Sequence, residues 1–452
     1  MKIAVIGAGI VGVATAFELA QDGHEVTVLE RRSGVAAEGS FAPAGLSGTS
    51  GIGPWAALGV MPGALMGLGA RNPGRWAFAP AAWSWRWRFR RAARAATGHS
   101  IDPSLNRLAQ YSRERADALR GRFKMEFECT RGVLLLLRSQ AELEQARAGL
   151  ERLREAGATA RLLDAVACLA IEPGLNRESP LAGGLHLPDD ESGNCRQFAH
   201  LLRDGAERAG VDFRFGSIVR ALDAAAAGDG VELRVEQLAL TTGFAPSRVV
   251  MPQSPGVPSP LARRVRAAAR YLDPVSTEHY DAVVIAGGAA SSAWLPALGL
   301  SVPLVAVHGY SLTAALRAPE RGPQSALVDP VRQAVVTRLG QRVRVAGGSE
   351  LGLSTEPRRA AVEALYAVLN DWFPGCAHLA RPQVWKGARA MMAGQLPLVG
   401  PSPRRGVWLN LGHGNAGWAL ACGSARMLAD QIAGRTPALD AVPFAAGRFA
   451  RA

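Results

Sequence analysis

The chain opens on a pattern that few folds accommodate. A short apolar run, Lys2 to Ile6 (KIAVI), leads into Gly7-Ala8-Gly9-Ile10-Val11-Gly12 and then a helical stretch from Val13 to Gln21. A second apolar run, Glu25 to Leu29 (EVTVL), delivers Glu30. Strand, glycine turn, helix and a strand ending in an acid compose a βαβ unit of the kind that holds a dinucleotide. Gly7 permits the tight turn, Gly9 lets the backbone approach a pyrophosphate, and Gly12 allows the helix to pack closely on its strand. Ile10 and Val11 lie within the turn and are read as cofactor contacts, and the N-terminus of the helix that follows faces the phosphates. Glu30 stands 18 residues after Gly12, close to the spacing at which a carboxylate reaches a ribose hydroxyl.

The turn alone suits FAD and NAD equally. An acid at position 30 disfavours a 2′-phosphate even with Arg31 and Arg32 beside it, and Arg31 is read as a cofactor contact. Two later segments favour FAD. Tyr280 to Gly288 (YDAVVIAGG) reads as a buried strand ending in a double glycine, so Gly287 passes close under the dinucleotide. Val407 to Leu411 (VWLNL) reads as another strand, and Gly412-His413-Gly414-Asn415-Ala416-Gly417 then opens a helix from Trp418 to Ile432. The dipole of that helix stabilises negative charge on a reduced flavin ring.

With 452 residues there is room for two or three domains, and 48% apolar with 20% charged residues describes a folded chain. The net charge of +13 invites a nucleic-acid reading. The basic residues are scattered and almost all arginine, with lysine only at Lys2, Lys124 and Lys386, which argues against nucleic acid. Cys129, Cys168, Cys195, Cys376 and Cys422 form no close pair, so neither a metal site nor a disulfide framework is expected, and a cytoplasmic location fits. The glycines within Met1 to Ala20 mark folded structure rather than a signal peptide. No apolar run is long enough to span a bilayer, so membrane contact is expected to be peripheral. Arg75 to Arg94 interleaves Trp76, Trp83, Trp85 and Trp87 with arginines. That composition suits the inner face of the cell membrane, or a helix buried beside the flavin with its arginines outward.

Beyond these segments the chain resembles the D-amino-acid dehydrogenase small-subunit family, within the wider FAD-dependent amine and amino-acid oxidoreductases. The resemblance is carried by GHEVTVLERRSG at 23–34, PWAALGV at 54–60, YSRERADALR at 111–120 and GGLHLPDDESGNC at 183–195, with DFRFGSIV at 212–219. HGYSLT at 308–313, WKGARAMM at 385–392 and WLNLGHGNAGWALACGSARMLAD at 408–430 extend it nearly end to end. It implies an α/β fold: a Rossmann-like FAD-binding domain with a second α+β substrate domain built on an antiparallel sheet. The expected partition is 1–119, 186–300 and 395–452 for the first, 120–185 and 301–394 for the second. By the same resemblance Val219 meets the adenine through its backbone, and Gly414, Asn415 and Gly417 sit beside the isoalloxazine. Arg389 clamps the substrate carboxylate, for which a guanidinium fork is well shaped.

Departures from the family pattern surround the pocket. Arg389 is followed by Ala390-Met391-Met392-Ala393-Gly394-Gln395-Leu396 where the family carries Pro and then Thr-Pro-Asp-Gly. Pro43-Ala44-Gly45 replaces Asn-Ala-Gly, and His308 stands where lysine is commoner. The segment between Leu238 and Glu278 is longer than expected and reads as a surface insertion.

The implied reaction is oxidative deamination of a D-amino acid to a 2-oxo acid and ammonia, with electrons passed to a quinone or other non-oxygen acceptor. Tyr310 and His413 are the candidates to hydrogen-bond carboxylate or amine, His413 alternatively capping its helix, and no side-chain base is required. The rivals are a same-fold oxidase using dioxygen, a flavoenzyme for a different secondary or cyclic amine, and a flavin-carrying subunit acting within a complex.

Overall fold

The computed structural model describes residues 1–48, 102–155, 157–224, 230–238, 275–351, 356–392 and 396–449. The tryptophan-arginine segment Arg75 to Arg94 lies outside these residues, as does the expected insertion apart from its two ends.

The N-terminal pattern folds as its residues dictate. Lys2–Ile6 forms a strand, Ile10–Gln21 a helix and Glu25–Glu30 a second strand, parallel to the first with Lys2 opposite Glu25. They belong to a six-stranded sheet in the order Leu398–Pro401, Val407–Leu411, Ala282–Ile285, Lys2–Ile6, Glu25–Glu30, Asp212–Phe215. All neighbours in it run parallel except the first pair.

Side chains alternate between faces along a strand, and here the alternation assigns two layers. Ile3, Val5, Val26 and Val28 pack against a helical layer made by Ile10–Gln21, Pro103–Phe123, Cys195–Arg208 and Gly417–Ile432. Ala4, Leu29, Val283 and Ile285 face the other way, toward Leu222, Val231 and Leu233 of a three-stranded antiparallel sheet, Ser217–Ala224, Val231–Gln237 and Val275–Tyr280. The last two of these strands pair directly across the insertion, Gln237 ending one and Val275 beginning the other.

The second body is a nine-stranded sheet. Its order runs Gln383–Met392, Leu304–Ala315, Arg342–Leu351, Ala334–Leu339, Ala326–Asp329, Thr130–Leu137, Gly183–Ser192 and Leu46–Ser47, with Arg161–Asp164 also on Gly183–Ser192. Among the described residues of this sheet only Ala326–Asp329 and Thr130–Leu137 pair in parallel. The helix Arg359–Trp372 covers one part through Leu365, Val368, Leu369 and Trp372, and Gln140–Glu155 covers another through Leu143, Ala146 and Leu150. The fold is thus the expected α/β architecture, a Rossmann-like body joined to an α+β body on a largely antiparallel sheet. The strand Gly183–Ser192 crosses the boundary expected at residue 186 and lies wholly in the nine-stranded sheet.

Candidate active site

The first βα turn is built on contacts that exclude a side chain. Gly7 adopts φ +105°, and a Cβ there would stand 2.8 Å from Gly287 Cα and 2.9 Å from the Ala286 carbonyl oxygen. The turn therefore meets the end of the Ala282–Ile285 strand backbone to backbone. At Gly12 a Cβ would lie 1.9 Å from the Gly7 carbonyl oxygen, whereas at Gly9 the nearest atom is Ser40 Oγ at 3.5 Å. Gly12 is a packing glycine, whereas at Gly9 a Cβ would meet only an ordinary contact. The Ile10 N–H donates to Ser40 Oγ at 3.1 Å, and the Glu30 carboxylate accepts from Ala8 N–H at 2.7 Å and Arg32 N–H at 2.8 Å. Burial raises the Glu30 pKa, and those two N–H groups oppose the rise. Arg31 and Arg32 both turn to Glu38, at 2.6 and 2.7 Å. Glu38 thus engages both side chains and offsets part of their charge.

Between the two bodies opens a cavity of about 510 Å³, within the range of ligand sites. Its wall includes Gly7, Gly9, Ile10, Val11, Glu30, Arg31, Val219, Gly287, Gly414, Asn415 and Gly417, together with Arg389, Tyr310 and His413. Of the residues expected to contact cofactor or substrate, Gly12 alone is absent from the wall, and His308, read as a departure around the pocket, does not line it either. Four lining residues carry a buried polar atom with no protein partner: Ser291 Oγ, Trp385 Nε1, Arg389 Nε and Asn410 Oδ1. Each such atom costs about 1–3 kcal/mol unless a ligand or a bound water satisfies it. Gly9 in the cavity wall, a helix start beside it, an acid at the end of the second strand and these unmet polar atoms fit an elongated dinucleotide such as FAD. At the far end the helix Gly417–Ile432 points its N-terminus into the cavity through the Gly414–Ala416 turn.

Arg389 lies on the strand Gln383–Met392, opposite Val307. Its Nη1 donates to Asn415 Oδ1 at 2.7 Å, and Nη2 donates to the Gly348 carbonyl at 2.8 Å and to Ser349 Oγ at 3.0 Å. The guanidinium lies over Gly309, where a Cβ would come within 3.1 Å of Cζ. All three hydrogen-bond partners are neutral, so the charge remains available to an anion. Burial lowers its pKa to about 10, which still leaves it protonated at neutral pH.

Tyr310 and His413 are engaged elsewhere. Tyr310 pairs across the strands with Lys386, and Arg389 is three residues on, so alternation places the tyrosine ring and the guanidinium on opposite faces of the sheet. The Tyr310 hydroxyl donates to the Glu350 carboxylate and accepts from Arg358 N–H at 3.4 Å, while the residue belongs to the buried cluster that holds Leu312, Leu365 and Leu369. Burial and the Glu350 carboxylate push its pKa up. The His413 Nε2 lies 3.1 Å from Ser424 Oγ in the following helix, and burial lowers the imidazole to about 3. It is neutral across the physiological range.

The altered segment after Arg389 packs two thioethers on the second glycine turn. A Cβ at Gly414 would meet Met391 Sδ at 2.9 Å, and one at Gly412 would meet Met392 Cγ at 2.6 Å. Ala393, Gly394 and Gln395 lie outside the described residues. Pro43, Ala44 and Gly45 line the cavity, and the Pro43 carbonyl accepts from buried Arg344 at 3.2 Å. Sequence reasoning missed Ser40, Ser349, Asn410 and Trp385, whose ring stacks on Phe41 at 4.2 Å. Ser40 and Ser349 are isolated hydroxyls with no local pattern, while Asn410 and Trp385 lie in VWLNL and WKGARAMM, where nothing in the pattern marks them from their neighbours.

Residues 2–431 match the family model described as FAD dependent oxidoreductase. The chain is 38% identical to a D-amino acid dehydrogenase of Cereibacter sphaeroides, covering 99% of this chain and 95% of that one. It is 36% identical to a D-amino acid dehydrogenase of Phenylobacterium zucineum, covering 98% and 97%. Among solved structures it resembles glycine oxidase from Geobacillus kaustophilus, with TM-score 0.67, 21% identity and coverage of 98% and 97%. The L-proline dehydrogenase from P. horikoshii is similar at TM-score 0.67, 16% identity and coverage of 99% and 97%. These structural likenesses carry the fold, and the full-length matches in sequence carry the family: the chain belongs to the FAD dependent oxidoreductases.

Proposed function

We propose that this chain oxidises D-amino acids to 2-oxo acids and ammonia, with FAD as its cofactor and a quinone or other non-oxygen molecule as the final acceptor. The observation that carries the reading is a single guanidinium, Arg389, held by neutral partners in the wall of a cavity shared with the dinucleotide turn. The relatives named D-amino acid dehydrogenase support it along the full chain.

FAD, when bound, supplies a two-electron acceptor for the hydrogen on the substrate α-carbon. Gly7, Gly9, Ile10, Val11, Glu30, Arg31, Val219, Gly287, Gly414, Asn415 and Gly417 would hold it, Gly12 shaping the turn behind. Arg389 pairs with the substrate carboxylate and fixes the α-carbon relative to the cavity wall. Tyr310 is tied to Glu350, and His413 is neutral with Nε2 on Ser424, so neither takes the substrate's proton. The amine loses its proton to solvent, and the rate rises with pH until the amine is neutral. The dinucleotide portion is assigned to the segments carrying the six-stranded sheet and the substrate portion to those carrying the nine-stranded one. The aromatic-basic composition of Arg75 to Arg94 supports peripheral contact with the inner face of the cell membrane, where a quinone would accept the electrons. Among the described residues no helix is long and apolar enough to cross a membrane.

Met391 and Met392, packed where the family carries an acidic loop, favour one second reading: a carboxylate-bearing secondary or cyclic amine as substrate. Turnover of a D-amino-acid panel with an artificial electron acceptor tests the main reading. A 2-oxo acid and ammonia are expected, with no hydrogen peroxide in air when the dye is left out. Peroxide would make the protein an oxidase, and yellow protein inert toward every amine would make it a flavin-carrying subunit.

A further inference from the structure

We propose that Asn415 is the positioning residue that aims Arg389, tying the substrate clamp on the nine-stranded sheet to the glycine turn beside the cofactor. The proposal rests on the reading of Arg389 as a carboxylate clamp. A guanidinium can only donate, so the atom of Asn415 that meets Nη1 at 2.7 Å is its oxygen. The amide NH₂ is therefore directed away from Arg389. At the other end of the fork, Nη2 is held by the Gly348 carbonyl and Ser349 Oγ, and the plane rests over Gly309. Two anchors at opposite ends fix the plane, and the Asn415 anchor is the one that comes from the other body.

The turn carrying Asn415 is itself pinned to the Arg389 strand. Met391 bridges His413, and Met391 Sδ fills the space a Cβ would need at Gly414. Strand and turn therefore move together, and a displacement of the turn displaces the fork. The neutrality of Asn415 matters equally. An aspartate there would place a carboxylate against Nη1 and satisfy the charge that the substrate must otherwise meet.

The test uses flavin-loaded protein and benzoate, a carboxylate without an amine, titrated by its perturbation of the flavin absorbance, with steady-state kinetics alongside. Asn415→Ala should weaken benzoate roughly tenfold and Asn415→Asp on the order of 100-fold, in line with losing a hydrogen bond to a charged group and with neutralising it. KM should rise in step with these losses while kcat changes less, and Asn415→Gln, which keeps an amide oxygen, should lie between alanine and wild type. Wild-type benzoate affinity in Asn415→Asp, with affinity lost in Arg389→Met, would overturn the proposal alone. Colourless Asn415→Ala and Asn415→Asp proteins would also overturn it, leaving Asn415 to act by holding the cofactor and not by aiming the clamp. Unchanged affinity in Arg389→Met would instead remove the clamp reading itself.

Discussion

The His413 Nε2 lies 3.1 Å from Ser424 Oγ, and that hydroxyl in turn donates to the Ala421 carbonyl at 3.2 Å. The serine oxygen accordingly accepts from the imidazole N–H, and the ring serves as a neutral strut between the glycine turn and its helix. Burial lowers its pKa from 6.5 to about 3. A group whose folded pKa is depressed contributes its full stability above the unfolded value, and that contribution falls as pH drops from 6.5 toward 3. The slope from this one group is about 1.4 kcal/mol per pH unit. Urea unfolding of wild type and His413→Gln across this window should show a shallower acid slope in the variant, which has no imidazole to protonate. Parallel slopes would place the protonated ring in contact with solvent.

The two oxygens of Glu30 each accept a backbone N–H, from Ala8 and Arg32. Glu30→Ala strands both donors and removes the ribose acceptor, so FAD affinity should fall on the order of 100-fold. Glu30→Gln retains one acceptor oxygen and should lose less. Titration of apoprotein with FAD, followed by quenching of flavin fluorescence, measures both.

Gly12 has no room to change. A Cβ 1.9 Å from a carbonyl oxygen of the neighbouring turn can be relieved only by moving backbone. Gly12→Ala should cost about 3 kcal/mol or more and yield colourless protein. At Gly121, in the Pro103–Phe123 helix, a Cβ would meet nothing within 4 Å. Gly121→Ala should therefore stabilise by roughly 0.5–1 kcal/mol. Thermal melts of the pair separate a packing requirement from glycine's general entropic effect.

Gly309→Ala tests the seat of the guanidinium. Its methyl would stand 3.1 Å from Arg389 Cζ, close enough to push the fork aside. KM for the amino acid should rise roughly tenfold, with flavin content unchanged. A normal KM would show that the fork can shift without loss.

What was legible in the sequence was local. Gly7, Gly12 and Glu30 act within one βαβ unit, where the spacing along the chain is the spacing in space. Arg389 came from resemblance, since nothing in its own strand distinguishes it from other arginines. Tyr310 shows where strand reading stops. Which face its ring takes depends on register with two neighbouring strands and on an irregularity between His308 and Tyr310, and neither is visible in HGYSLT. Ser349 and Ser40 are single hydroxyls whose partners, Arg389 and Ile10, lie 40 and 30 residues away, so no local spacing announces them.

The central claim is that Arg389 presents a D-amino acid to the flavin. Anaerobic mixing of the yellow, flavin-loaded protein with matched D- and L-amino acids reads this directly as loss of flavin absorbance. D-amino acids should bleach wild type, L-enantiomers should not, and Arg389→Met should bleach far more slowly at equal D-substrate. Bleaching by L- but not D-amino acids, or equal bleaching of wild type and Arg389→Met, would contradict the account.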